Sequence, residues 1–67
     1  MEGTYDERHD TAYIYLSPRS EDRKVARTEP QKDNILYDYD RNGRIIGIEF
    51  LNASSTLHPS LLEELSK

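Results

Sequence analysis

The stretch Ile35–Ser54, ILYDYDRNGRIIGIEFLNAS, constrains this chain more than any other, because it holds both strands of a β-hairpin and the turn between them. Asn and Gly both tolerate positive φ, so Asn42-Gly43 suits the two-residue type I′ turn that matches strand twist. Closing the turn there pairs Tyr39 with Ile46, Tyr37 with Ile48 and Ile35 with Phe50 on one face. Asp38, Asp40, Gly47 and Glu49 then share the other face. A rival three-residue loop, Arg41-Asn42-Gly43, sets Asp38 beside Ile46 and Tyr39 beside Ile45, which mixes charge into the apolar face. A one-residue slip moves every side chain to the wrong side, so the first register is expected.

Thr11–Ser17, TAYIYLS, alternates Ala12, Ile14 and Leu16 with Tyr13 and Tyr15, the period-2 pattern of a half-buried strand that Pro18 ends. Gly3–Asp6 reads as a short first strand and Val25–Glu29 as a further one. Pro59 suits the first turn of a helix, Ser60 and Glu63 have capping-box spacing, and Leu61, Leu62 and Leu65 form a narrow apolar stripe. So short a helix needs a surface to dock on. The expected fold is α+β: a small antiparallel β-meander sheet of four to five strands over about 3–51, with one C-terminal helix over about 59–66, in a single domain 1–67. Its core should draw on Ala12, Ile14, Leu16, Val25, Ile35, Tyr37, Tyr39, Ile46, Ile48, Phe50 and Leu65.

At 67 residues, a chain buries only about 60% of its unfolded surface and is marginally stable alone. The chain has no cysteine, which removes disulfides and thiolate metal sites, and His9 and His58 lie far apart. Self-association is therefore the expected supplement, a homodimer being the simplest. A net charge of −4 disfavours nucleic acid and anionic membranes as partners. The basic residues Arg19, Arg23, Lys24 and Arg27 are interrupted by Glu21, Asp22 and Glu29, which reads as a solvated loop. The opening residues lack a signal-peptide layout and no apolar run could span a membrane, so a cytoplasmic location is expected.

Two segments resemble a known pattern. Tyr5-Asp6, Asp10, Ala12-Tyr13-Ile14 and Leu16 resemble the opening of the prokaryotic family catalogued as domain of unknown function 2283. Asp38-Tyr39-Asp40, Gly43, the run Ile45–Leu51 and Ala53-Ser54 are similar to its second half. The likeness covers about residues 4–57 and departs at Arg8-His9, where small or acidic residues are more typical. It implies a small cytoplasmic prokaryotic protein, no particular activity, and an antitoxin-like or partner-binding role.

The function expected is a non-enzymatic protein-interaction module, with no catalytic, metal-binding or cofactor residues assigned and no cofactor. Tyr13 and Tyr15 emerge on the second face near Leu36, Asp38 and Ile45. With Leu61 and Leu62 of the helix, Tyr13, Tyr15, Leu36 and Ile45 are the candidate interface for a second copy or a protein partner. Two alternatives stand beside this: the helix covers that face, or the tyrosines serve only cross-strand pairing. The alternative function is a metal- or small-molecule-binding enzyme using the Asp38, Asp40 and Glu49 carboxylates, against which stands the plain reading of a solvated sheet face. His9 beside Asp10 lacks a nucleophile and is not taken as a dyad.

Overall fold

In the computed structural model, which describes residues 2–66, the five strands are β1 (Glu2–Asp6), β2 (Thr11–Tyr15), β3 (Arg27–Pro30), β4 (Ile35–Tyr39) and β5 (Ile45–Leu51). All pair antiparallel in the order β1-β2-β5-β4-β3. A β1–β2 hairpin and a β3–β4–β5 meander are thus joined along β2 and β5. The connection from β2 to β3 crosses from the sheet's interior to its far edge and contains one 3₁₀ turn, Ser20–Asp22. Two helices follow, α1 (Ala53–Thr56) and α2 (Pro59–Leu65). The class is α+β.

The hairpin register holds for Ile35 with Phe50, Tyr37 with Ile48 and Asp38 with Gly47, and then shifts, so that Tyr39 stands opposite Ile45 instead of Ile46. The turn is the cause. Asp40 N–H donates to the Arg44 carbonyl at 2.9 Å and Gly43 N–H to the Asp40 carbonyl at 3.0 Å. Only Gly43, at φ 81°, takes the left-handed conformation there. The Asp40 carboxylate locks the loop by accepting from the Asn42 and Arg44 N–H groups, each at 2.9 Å. The loop therefore has three residues, and a bulge at Ile46 absorbs the extra one and restores the apolar register beyond it. Consecutive left-handed residues instead carry the β3–β4 turn, at Asp33 and Asn34.

Ladder register sorts the side chains, because residues directly opposite point the same way. Gly3, Tyr5, Ala12, Ile14, Ile35, Tyr37, Tyr39, Ile48 and Phe50 share one face. The helices dock at one end of it. Ala12, Ala53, Leu62 and Leu65 form the buried core, with Tyr5, Phe50, Leu57 and Leu61 packed against them. Gly3 lies under α2, since a Cβ there would come within 2.8 Å of Leu65 Cδ2. Removing one leucine of this size from water is worth about 2 kcal/mol, which docks a helix too short to form alone.

Several sequence expectations change here. Leu16 and Val25 are 45% and 50% exposed, and Val25 precedes β3 rather than lying in it. Alternation places Leu16 on the correct face, but no described helix extends over it. Ile14, Ile35, Tyr37, Tyr39, Ile48 and Phe50 are only half-buried, while Ile46 is buried as expected. The segment after Leu51, which shows no periodicity, forms the one-turn α1. Its first N–H groups are met by Asp10, whose backbone carbonyl accepts from Ala53 N–H at 2.9 Å and whose carboxylate accepts from Ser54 N–H at 2.9 Å. In α2, Pro59 takes the first turn as expected, but the cap is His58 Nδ1, which accepts from Ser60 N–H at 3.1 Å.

Candidate functional site

The second face of the sheet is organised around Asp38. Tyr13 on β2 extends across β5 and its hydroxyl donates to Asp38 Oδ2 at 2.6 Å. From the other side, the Thr28 hydroxyl on β3 donates to Asp38 Oδ1 at 2.5 Å. One carboxylate thereby ties together β2, β4 and β3 over β5, and it is only 8% exposed. Gly47 makes the span possible: a Cβ at that position would collide with the Tyr13 ring and hydroxyl. Burial, and then the hydrogen bond to Asp38, push the Tyr13 hydroxyl pKa well above the ordinary tyrosine value.

Next to this network, the Tyr15 ring lies 5.0 Å from that of Tyr13. The Arg23 guanidinium sits 4.1 Å from the Tyr15 ring centroid, a cation–π contact. Arg23 also pairs with Glu2 and donates through Nε to the Ser17 carbonyl at 3.0 Å. Its hydrogen bond is the main reason the Glu2 carboxyl falls below its usual pKa. Arg23 thus pins the β2–β3 connection onto this face.

A second polar node lies at the helix end. Asp10, in the left-handed conformation at φ 54°, accepts from the Tyr5 hydroxyl at 2.8 Å and the Ser54 hydroxyl at 2.7 Å. The Ser54 and Tyr5 hydroxyls, in that order, hold its carboxyl below the ordinary aspartate range. His9 turns away from Asp10 and pairs with Asp6, Nδ1 to Oδ2 at 2.7 Å.

Of the candidate interface residues, Tyr13 and Tyr15 are taken up by Asp38 and Arg23. Leu36 shares their face and is half-buried. Ile45 lies opposite Tyr39, which the bulge moves to the other face. Leu62 is buried in the chain's own core and Leu61 is partly buried against it, so Leu62 does not line an outer surface. The Asp38, Asp40 and Glu49 carboxylates are not gathered together. Asp38 is clamped between two hydroxyls, Asp40 closes the hairpin turn, and Glu49 lies beside Tyr13 and Leu36 on neighbouring strands. Among the described residues no group of three or more His, Cys, Asp or Glu is placed to hold a metal. An open groove of about 450 Å³ runs between the Glu21–Ala26 segment and the β4–β5 turn, and it includes Asp40 but neither Asp38 nor Glu49.

Thr28, Arg23 and Ser54 were missed as partners. Thr28 does carry a signal, since a turn at Asp33-Asn34 sets it opposite Asp38. Ser54 carries no such signal, since it meets Asp10 across 44 positions.

Fold and polar nodes together define a small α+β sheet domain in which Asp38 and Asp10 are each held by side chains from two other strands or helices. The chain belongs to the family described as Protein of unknown function (DUF2283), whose model matches residues 4–54. No curated protein and no solved structure gives a significant match. The residues that carry the family resemblance are those just described: Tyr5 and Asp10 with Ser54, Ala12 and Ala53 in the core, Gly47 beneath Tyr13, and Asp40 with Gly43 in the turn. No helix among the described residues is long and apolar enough to cross a membrane.

Proposed function

We propose that this chain is a non-enzymatic protein-interaction module whose binding surface is the uncovered half of the apolar sheet face. One observation carries the reading: Ile14, Ile35, Tyr37 and Ile48 share that face, lie outside the helix-capped cluster and are only partly buried, and Leu16 and Ile45 at the same end are 45% and 37% exposed. Apolar surface left open on one side of a sheet is the usual mark of a docking site. The proposal moves the interface away from Tyr13 and Tyr15, whose polar and aromatic groups already have internal partners. The antitoxin-like role implied by the family resemblance would be one use of such a surface. The carboxylate alternative lacks equal support, because Asp38 is buried and accepts two hydroxyl donors within the fold.

The test is native mass spectrometry of the chain isolated from its own cells at endogenous level. An assembly heavier than 7.8 kDa that dissociates in Tyr37→Glu is expected. A free monomer in both would refute the proposal.

A further inference from the structure

We infer that the occupant of this surface is a second copy of the chain, packed sheet against sheet about a two-fold axis. The inference rests on the reading of the uncovered half-face as an interface, and adds what fills it.

The chemistry of the face selects the partner. By register, the acids Glu2, Asp6, Asp38 and Glu49 all fall on the opposite face. On the open half the strands contribute only two charges, Arg27 and Glu29, both on the edge strand β3 and opposite Tyr39 and Tyr37. They pair at 2.7 Å, and the Arg27 guanidinium lies 4.3 Å from the Tyr39 ring centroid. A nucleic acid meets no basic stripe here, and a strongly charged peptide meets no net charge. A surface that is apolar inside, with one charge of each sign at its rim, is complementary to itself. A two-fold axis lets each Arg27 approach the Glu29 of the other copy, as an isologous contact requires.

The area agrees. A compact monomer of 7.8 kDa exposes about 4,400 Å² by the scaling of folded chains, whereas this chain exposes 4933 Å². The excess is about 500 Å² per copy, and apolar Leu16 and Ile45, 45% and 37% exposed at the open end, contribute to it. An interface covering an area of this order on each copy would remove about 1,000 Å² in all, the size at which specific interfaces begin. Sheets that pack face to face lie about 10 Å apart and interdigitate their side chains. Ile14, Ile48 and Tyr37 would then complete the second layer that the short helices leave unfinished.

The chain has no cysteine, so a single introduced thiol reports one surface without interference. Tyr37→Cys and Ile48→Cys place it on the open face, and Leu36→Cys and Glu49→Cys place it one residue away on the other. In oxidising buffer at micromolar concentration, the first pair should form disulfide dimers about tenfold faster or more, because docking raises the local thiol concentration. The wild-type chain, which needs no substitution, should sediment with twice the monomer mass and dissociate on dilution. A wild-type chain that stays monomeric at its highest soluble concentration overturns the inference, as do equal rates on the two faces or faster crosslinking at Leu36→Cys and Glu49→Cys. If it is monomeric while the native assembly still dissociates in Tyr37→Glu, self-association fails and the interface reading survives. If Tyr37→Glu has no effect as well, both fail.

Discussion

The two ends of a single sheet face differ in cover while sharing the same chemistry. At one end, Tyr5, Ala12 and Phe50 lie with Ala53, Leu62 and Leu65 in a closed core. At the other, Ile14, Ile35, Tyr37 and Ile48 keep the same alternation but lie outside that core and stay partly exposed. The difference is one of reach. A seven-residue helix such as α2 is about 10 Å long, whereas five strands at their usual spacing span about 19 Å from first to last. Where the helix docks is decided by contacts outside the alternation: Gly3 makes room for Leu65, and Asp10 holds the first turn of α1. Alternation therefore specifies which side of a strand is apolar, and docking specifies which part of that side becomes core.

The largest effect that would sharpen this contrast is at the closed end. Leu65→Ala should destabilise the fold by about 2–4 kcal/mol, the range for a buried leucine, enough to unfold much of a marginal domain. Ile48→Thr at the open end should cost about 1 kcal/mol or less in dilute solution, since its side chain is already partly exposed. Urea titration of both variants measures the difference, and equal losses would break the contrast.

A smaller effect comes from the opposite face. Tyr13→Phe leaves Asp38 with one donor in place of two and should cost about 1.5–3 kcal/mol, the value of a hydrogen bond to a charged group. Gly47→Ala should produce a similar loss by driving the Tyr13 ring off its path. Because both act through one contact, their effects should fall well short of additive in the double variant. Additive losses would show that Gly47 serves some purpose other than giving passage to Tyr13.

The shifted groups give opposite pH signatures. Asp10 has a lowered pKa in the folded state, so its stabilisation is complete above the unfolded aspartate value near 3.9 and is lost as pH falls through and below it. The melting temperature should drop on acidification, and less steeply in Asp10→Asn. Tyr13 has a raised pKa, so its contribution is complete below the unfolded tyrosine value of about 10 and declines as pH rises beyond it. Tyr13→Phe should flatten that alkaline decline. Thermal melts across both ranges check the signs, and a reversed slope in either range would contradict the assigned partners. The smallest expected effects are at Leu16→Ser and Val25→Ser, each within about 0.5 kcal/mol, as for exposed positions.

The local chemistry of the chain made much of this fold readable. Strong alternation flanking a turn located β4 and β5 and their register through Asp38, and Pro59 located α2. The turn itself is not legible from the pairing, because a three-residue loop and a compensating bulge at Ile46 leave the distal pairing the same as a two-residue loop would. Leu16 and Val25 lie outside the core that their apolar character predicts, because apolar pattern reports orientation and not cover. The Tyr13–Asp38 bond spans 25 positions and the Asp10–Ser54 bond 44, distances at which neither local propensity nor spacing carries information. Gly47 was the one visible clue, a gap in side-chain cover opposite Asp38, and the gap is filled by the Tyr13 ring.

Methyl NMR across a dilution series tests most directly whether the open half-face is an interface between copies. Concentration-dependent shifts are expected for the Ile14, Ile35 and Ile48 methyl groups, with Leu62, Leu65 and Ala12 unchanged. Shifts absent throughout, or spread evenly over both faces of the sheet, would contradict such an interface.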